Sequence, residues 1–509
     1  MSISTTLSRT YLRAQKQHAS AIERGPAEEF PERIVQFGEG NFLRAFADWM
    51  IDEVNGKKLL NSNVLVAQPI RQGMAGDLNA QDGVYTLLMR GVQNGKVVEA
   101  RRIITATRRA LNPYEQWSEL VKAFRGPDIR FVLSNTTEAG IAYVAEAYAN
   151  GVCPESFPAK VASLLYERFV AVKGDKDKGL IFLPCELIDR NGDNLRRIVL
   201  EHAQNWALPA GFIAWVKEAN YFLNTLVDRI VPGYPRAEIE KLRNELGYDD
   251  KLIVSAEYFH LWVIEGPKHL ADELPFTKAG LNVVWTDDLT PYRTRKVRVL
   301  NGAHTSSVLA AYLAGLDTVR DMVEDPVFGR FVRRAVFDEI LPNVALPEAE
   351  KLAYAESVLE RFLNPFIRHE LLSISLNSVS KWKVRVLPSL LDYKASRKEL
   401  PAALSFSLAA LIAFYRGTTV TTNELQGRRG DKTYPIRDDA KILAFFSEAW
   451  RKADETKNWK ELAKTTLAHE DFWGQDLNRV SGLTDFVAKS LESIVTKGTR
   501  GAVTETLKL

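Results

Sequence analysis

Short apolar runs alternate with amphipathic stretches along the first part of the chain. The runs at 33–37, 64–67, 85–89, 97–105, 129–134 and 180–185 are rich in Val, Ile, Leu and Phe and read as strands. Helical spacing fills several of the gaps, first at Phe42, Phe46, Trp49 and Met50. Strands that alternate with helices predict a mainly parallel sheet with helices on both faces. Residues 195–285 mix helices and loops, and Asn224, Asp228 and Arg229 read there as a capped helix end with a local ion pair. After Pro291 the pattern turns helical, over 297–315, 325–340, 347–363, 399–415, 438–453, 458–467 and 484–495. This change sets a boundary near 285–295. It predicts an α/β domain over 1–290 and a mainly α-helical domain over 291–509. Residues 1–30 read as a loosely ordered lead-in, 426–431 as a solvated loop, and 497–509 as a tail or final strand.

The first strand runs straight into Gly38-Glu39-Gly40-Asn41-Phe42-Leu43-Arg44 and a helix. Strand, glycine turn and helix is the order that binds a dinucleotide pyrophosphate, because glycine lets the backbone approach the phosphates. Leu43 stands where a third glycine would complete the pattern, so a glycine turn with no ligand also fits. The strand at 129–134 ends in the small polar loop Ser134-Asn-Thr-Thr-Glu-Ala-Gly140. Loops at the carboxyl ends of parallel strands are where such sheets bind ligands. At the end of the second strand, where a carboxylate usually holds the ribose of NAD, Gln68 stands, with Arg71 after it. An arginine there could accept the extra phosphate of NADP, so these residues leave the choice of coenzyme open.

Lys296-Val-Arg-Val-Leu-Asn301-Gly-Ala-His304 opens the helical half. With each helical residue advancing about 100°, His304 falls about 80° and Asn301 about 140° from Lys296. Lysine and histidine then share the apolar stripe, with asparagine at its edge. Buried lysine is costly unless paired or functional. A helix whose Lys296 snorkels and whose His304 is a satisfied core residue gives the same pattern. Further on, Lys381, Lys383 and Arg385 alternate with apolar residues. As an extended segment this puts all three on one face, either a solvated edge strand or a pocket for an anionic group.

Composition narrows the function classes. The 509 residues carry 46% apolar and 26% charged side chains, ordinary for a globular protein. A net charge of +3 lacks the basic excess of a nucleic-acid binder. No apolar run approaches the ~20 residues of a membrane span. Cys153 and Cys185 stand far apart, and the N-terminus has no signal-peptide pattern, so a reducing, cytoplasmic setting is expected. Glu257-x-x-His260 is a weak match to metal spacing, and no metal is expected.

These motifs in this order resemble the mannitol dehydrogenase family, the polyol-specific long-chain dehydrogenases. The resemblance spans roughly 33–440. It rests on the glycine turn, Gln81-Asp-Gly-Val-Tyr-Thr-Leu87, Thr137-Glu-Ala-Gly140, Asn224-Thr-Leu-Val-Asp-Arg-Ile230, Asn364-Pro365 and above all Lys296, Asn301 and His304. Within the family, 67–73, 184–192, 300–305 and 378–385 are most similar to the members that reduce a sugar acid. The resemblance implies a Rossmann-like domain with NAD as cofactor, followed by a helical substrate domain. It implies a coenzyme site at Phe37, Gly38, Gly40, Asn41, Phe42, Arg44, Gln68, Thr137 and Glu138. It makes Lys296 the general acid and base, with Asn301 donating a hydrogen bond to the carbonyl oxygen and His304 binding substrate hydroxyls and orienting Lys296. Lys381, Lys383, Arg385 and the weaker candidate Arg368 become partners for a substrate carboxylate. The asparagine that gives mannitol dehydrogenases a second oxyanion donor aligns with Leu187, so that role is not carried over.

Overall fold

A computed structural model describes residues 5–15, 22–421 and 423–508. The chain forms two compact units, Met1–Arg90 with Val97–Leu289, and Gly91–Lys96 with Thr290–Leu509.

The first unit is built on a sheet of six parallel strands: β1 Glu32–Phe37, β2 Asn63–Ala67, β3 Thr107–Leu111, β4 Phe131–Ser134, β5 Ile181–Pro184 and β6 Tyr221–Phe222. Their order is β3-β2-β1-β4-β5-β6, so the winding reverses between β1 and β4. Every residue of β2, β4 and β5 is buried, as expected of strands covered on both faces. Successive residues serve opposite layers: Ile34 packs into one apolar cluster, Val35 and Phe37 into the other. The covering helices include α1 Asn41–Ala45, α2 Ala47–Gly56, α3 Ala75–Ala80, α4 Pro113–Arg125, α5 Phe157–Ala171 and α6 Asn191–Asn205.

Two of the expected strands lie outside this sheet. Tyr85–Gln93 and Lys96–Ile104 join Glu23–Arg24 and Val254–Glu257 in a separate four-stranded sheet. Asn224–Asp228 is a strand rather than a helix end, paired antiparallel with Leu261–Glu265, and the Asn224 amide donates to Glu265 at 3.0 Å. Arg229, just past it, is fully buried. Its guanidinium donates to the carbonyls of Glu257 and Ala45 and lies 4.3 Å from the Trp49 ring, and burial pulls its pKa down to about 9. The lead-in is also more ordered than its composition predicts, although 1–4 and 16–21 lie outside the described residues. Arg9, on the helix Arg9–Ala14, donates to the carbonyls of Thr105 and Thr107 at 2.8 and 2.9 Å.

Asp48, on α2, is fully buried beside Gln36, Tyr85 and Thr107, and burial pushes its pKa up to about 7. The folded state therefore binds the extra proton, and this carboxyl loses stability for the fold as pH rises from about 4 to about 7. Asp48→Asn keeps the shape without the charge. Its melting temperature relative to the unmodified chain is expected to rise by several degrees between acid and mildly alkaline buffer, since raising the pKa from 3.8 to about 7 corresponds to about 4 kcal/mol. A difference that does not move with pH would contradict this assignment.

The second unit is mainly helical: α7 Gly302–Leu313, α8 Glu348–Phe362, α9 Ser378–Arg385, α10 Ala402–Phe414, α11 Ala440–Thr456 and α12 Leu483–Leu507 are among its helices. Helix α10 is buried from Ala403 through Phe414, as a helix that is apolar all round must be. Residues 426–431 form a hairpin between Glu424–Arg429 and Lys432–Ile436 rather than a loop. Arg429 explains its fixed position, donating to the carbonyls of Tyr312 and Leu316 at the end of α7 and to Asp317. The C-terminal stretch continues α12, with a left-handed break at Gly498, rather than forming a tail or strand.

Candidate active site

The candidate nucleotide edge of the first unit, at the carboxyl ends of its parallel strands, begins at the β1 turn. Gly38 has φ +124, and a Cβ there would lie 2.9 Å from the Asn135 carbonyl, so only glycine fits. At Gly40 a Cβ would meet nothing within 4 Å, which leaves open space over the backbone on that side. The turn sits where the strand order reverses, the point at which such sheets bind a dinucleotide. This bare backbone fits a pyrophosphate; Leu43, in the place of a third glycine, is buried in the core.

The neighbouring side chains divide into those that line this edge and those that build it. Thr137, with φ +69, and Glu138 are exposed on the loop after β4. Phe37 is core, its ring 5.1 Å from Phe157, so only its main chain reaches the edge. Phe42 stacks on Phe46 at 5.0 Å. Arg44 differs most from its expected place. It is 2% exposed, and its guanidinium donates to the Glu39 and Leu252 carbonyls and to the side chain of Asn41. Its charge therefore anchors the turn from below. Gln68 is turned inward: its amide donates to the carbonyls of Ile70 and Arg71 at 3.0 Å and accepts from the Ala75 N–H.

Sequence reasoning missed Glu186. Its buried carboxylate accepts from the Ser134 hydroxyl at 3.0 Å and from the Thr136 N–H and hydroxyl at 2.9 and 3.0 Å, pinning the start of the β4 loop. An acid placed just beyond a buried strand was the available signal. Leu187, beside it, is 61% exposed and offers no polar donor from its side chain. Glu257 and His260 do not pair as ligands: Glu257 accepts from the Ile230 N–H and His260 from the Asn282 N–H.

In the second unit, Lys296–Asn301 is a π-helix leading directly into α7, with the Gly302 N–H bonded to the Val297 carbonyl five residues back. A regular helix would leave Asn301 about 140° from Lys296. The wider i→i+5 turn brings Asn301 round toward the face of Lys296. Single π turns inside α-helices recur at functional sites. Lys296 and Asn301 are both half-buried. Gly302 lets this turn pack closely, since a Cβ there would lie 3.1 Å from the Arg385 carbonyl.

His304 is 8% exposed, stacked on Phe362 at 4.2 Å and edge-on to His369 at 5.2 Å. Burial first, then His369, Arg361 and Arg385, hold its pKa well below the usual histidine range, so the ring is neutral near pH 7. Its Nε2 has no hydrogen-bond partner among the described residues. A buried polar atom left open in this way suits a ligand hydroxyl.

Residues 378–385 form helix α9, not an extended segment. Lys381 and Arg385, four residues apart, share a face, whereas Lys383 lies about 200° round from Lys381. Lys383 instead rests its Nζ against Gly474. Lys381 donates to the Ile374 carbonyl at 3.0 Å, and Arg385 lies 3.5 Å from the Thr305 hydroxyl. Burial lowers the pKa of both, and Arg385 further lowers that of Lys381. Arg368 is exposed and paired with Glu370.

Sequence and structure comparisons place the chain among known proteins. Residues 32–278 match the mannitol dehydrogenase Rossmann domain, and 288–495 the mannitol dehydrogenase C-terminal domain. Altronate oxidoreductases from Escherichia coli O6:K15:H31 (strain 536 / UPEC) and O9:H4 (strain HS) are each 48% identical over 480 residues, covering 94% of this chain and 97% of theirs. A D-sorbitol dehydrogenase structure shares the fold with TM-score 0.78 at 22% identity, covering 98% of this chain and all of its own. The Pseudomonas fluorescens mannitol 2-dehydrogenase ternary complex with NAD and D-mannitol does so with TM-score 0.68 at 21% identity, covering 99% of each. The chain belongs to the mannitol dehydrogenase family.

Proposed function

We propose that this chain is an NAD-dependent oxidoreductase interconverting D-tagaturonate and D-altronate, a cytoplasmic step of hexuronate breakdown. The observation that carries the reading is the π turn, which aligns Lys296 with Asn301 ahead of the open Nε2 of a neutral His304. The similarity to altronate oxidoreductases supports the choice of substrate.

Gly38 and Gly40 would hold the pyrophosphate of NAD, with the Thr137–Glu138 loop available beside them. NAD supplies or takes up the hydride when bound. Lys296 gives a proton to the ketone oxygen during reduction and takes it back from the alcohol during oxidation. Asn301 donates a hydrogen bond to the same oxygen as charge builds there. His304, being neutral, binds a substrate hydroxyl without adding a second cation beside Lys296. Lys381 and Arg385, on one face of α9, hold the carboxylate that distinguishes a uronate from a simple ketose.

The test follows NADH absorbance with tagaturonate, fructuronate and fructose in parallel. Oxidation fastest with tagaturonate is expected. Preference for fructuronate or fructose makes the chain a fructuronate reductase or a polyol 2-dehydrogenase of the same family. Oxidation of none, with either NADH or NADPH, makes it a non-catalytic nucleotide binder.

A further inference from the structure

We propose that coenzyme choice is set by Glu155, which withholds Arg71 from the 2′-phosphate that distinguishes NADP from NAD. The proposal rests on the coenzyme reading above and extends it to Glu155, a residue outside the family motifs.

The residue at the end of β2 is not a carboxylate, and the Glu39 carboxyl nearby is buried and accepts from the Met74 N–H. Gln68 stands there, and its amide is spent on its own loop. Two of those bonds go to the carbonyls of Ile70 and Arg71, which hold the loop that presents the Arg71 side chain. That side chain is 67% exposed and lies over Tyr114, 4.5 Å from the ring centre. A guanidinium on an aromatic platform beside the ribose position is equipped to take a phosphate. Here it is ion-paired with Glu155 instead.

Glu155 is held in place at both of its main-chain groups. Its N–H donates to Glu146 at 2.6 Å, and its carbonyl accepts from Lys160 at 2.6 Å. Lys160 is fully buried and also donates to the Tyr114 hydroxyl at 3.0 Å, so one lysine holds both the platform and the Glu155 main chain. Tyr114 in turn donates to the Pro69 carbonyl at 3.3 Å, tying the platform to the Gln68 loop. The carboxylate thus neutralises the one arginine of that loop and sets a negative charge where a second anion would arrive. The pair itself is exposed, and exposed pairs add little to stability, so Glu155 is removable without cost to the fold.

The experiment measures dissociation constants for NADH and NADPH by titration calorimetry, without substrate. The unmodified chain is expected to prefer NADH. Glu155→Gln should tighten NADPH about tenfold and leave NADH within about twofold, since tenfold corresponds to about 1.4 kcal/mol, within the range of one charge-assisted bond. Adding Arg71→Ala to Glu155→Gln should abolish that gain. An unchanged NADPH-to-NADH ratio in Glu155→Gln overturns the proposal, as does a gain that survives Arg71→Ala. If the unmodified chain binds neither nucleotide, the coenzyme reading itself fails and takes this proposal with it; a chain that binds NADH but shows no shift in the variants keeps the first and loses the second.

Discussion

Replacing Lys296 by alanine is expected to lower kcat for tagaturonate reduction by about 10²–10⁴-fold, the usual contribution of a positioned general acid. The dissociation constant for NADH should stay within about twofold, because the glycine turn and the β4 loop proposed to bind it belong to the other unit. The contrast between these two readings separates a proton donor from a residue that merely supports the fold. Lys296 is half-buried at the start of a π turn, so truncating it leaves the apolar residues Val299 and Leu300 in place. A parallel loss of NADH affinity, or a kcat close to that of the unmodified chain, would sink the assignment.

The second large effect belongs to α9. Arg385→Ala is expected to raise KM for the uronate by about 10–10²-fold, the loss of a hydrogen bond to a charged group worth roughly 1.5–3 kcal/mol. Turnover of an uncharged ketose should change far less. Lys381→Ala should act in the same direction, because it shares the face of Arg385. Lys383→Ala should not, because its ammonium lies against Gly474. Equal losses on charged and uncharged substrates would show that the cations serve packing and not the carboxylate.

The order of elements was legible because its causes are local. Buried parallel strands write themselves as short apolar runs, and β1, β2, β4 and β5 stand close to where those runs lie. The glycine turn was legible for the same reason: φ +124 at Gly38 is a demand on one residue. What the sequence hid was mostly long-range or irregular. Arg44 resembles a coenzyme ligand until its guanidinium is seen bonded to the Leu252 carbonyl, about two hundred positions away. The cations at 381–385 alternate as a strand would, yet Trp382 and Val379 are buried on a helix, and the register change divides the trio. The angle between Lys296 and Asn301 could not be read from α-helical periodicity, because one π turn replaces the expected geometry. Glu155 carries no motif and Glu186 sits in the 184–192 stretch without a role readable there; each acts through loops brought together only by the fold.

The central claim is that one group, Lys296, passes the proton in both directions. Single-turnover rapid mixing tests it most directly, with NADH oxidation by tagaturonate and NAD reduction by altronate each followed across pH. Reduction needs Lys296 protonated and oxidation needs it neutral. The account predicts that the first rate constant falls and the second rises as pH increases, both through the same midpoint, with Lys296→Ala removing the dependence. Rate constants that move in the same sense, or a mirror-image dependence that survives in Lys296→Ala, would contradict it.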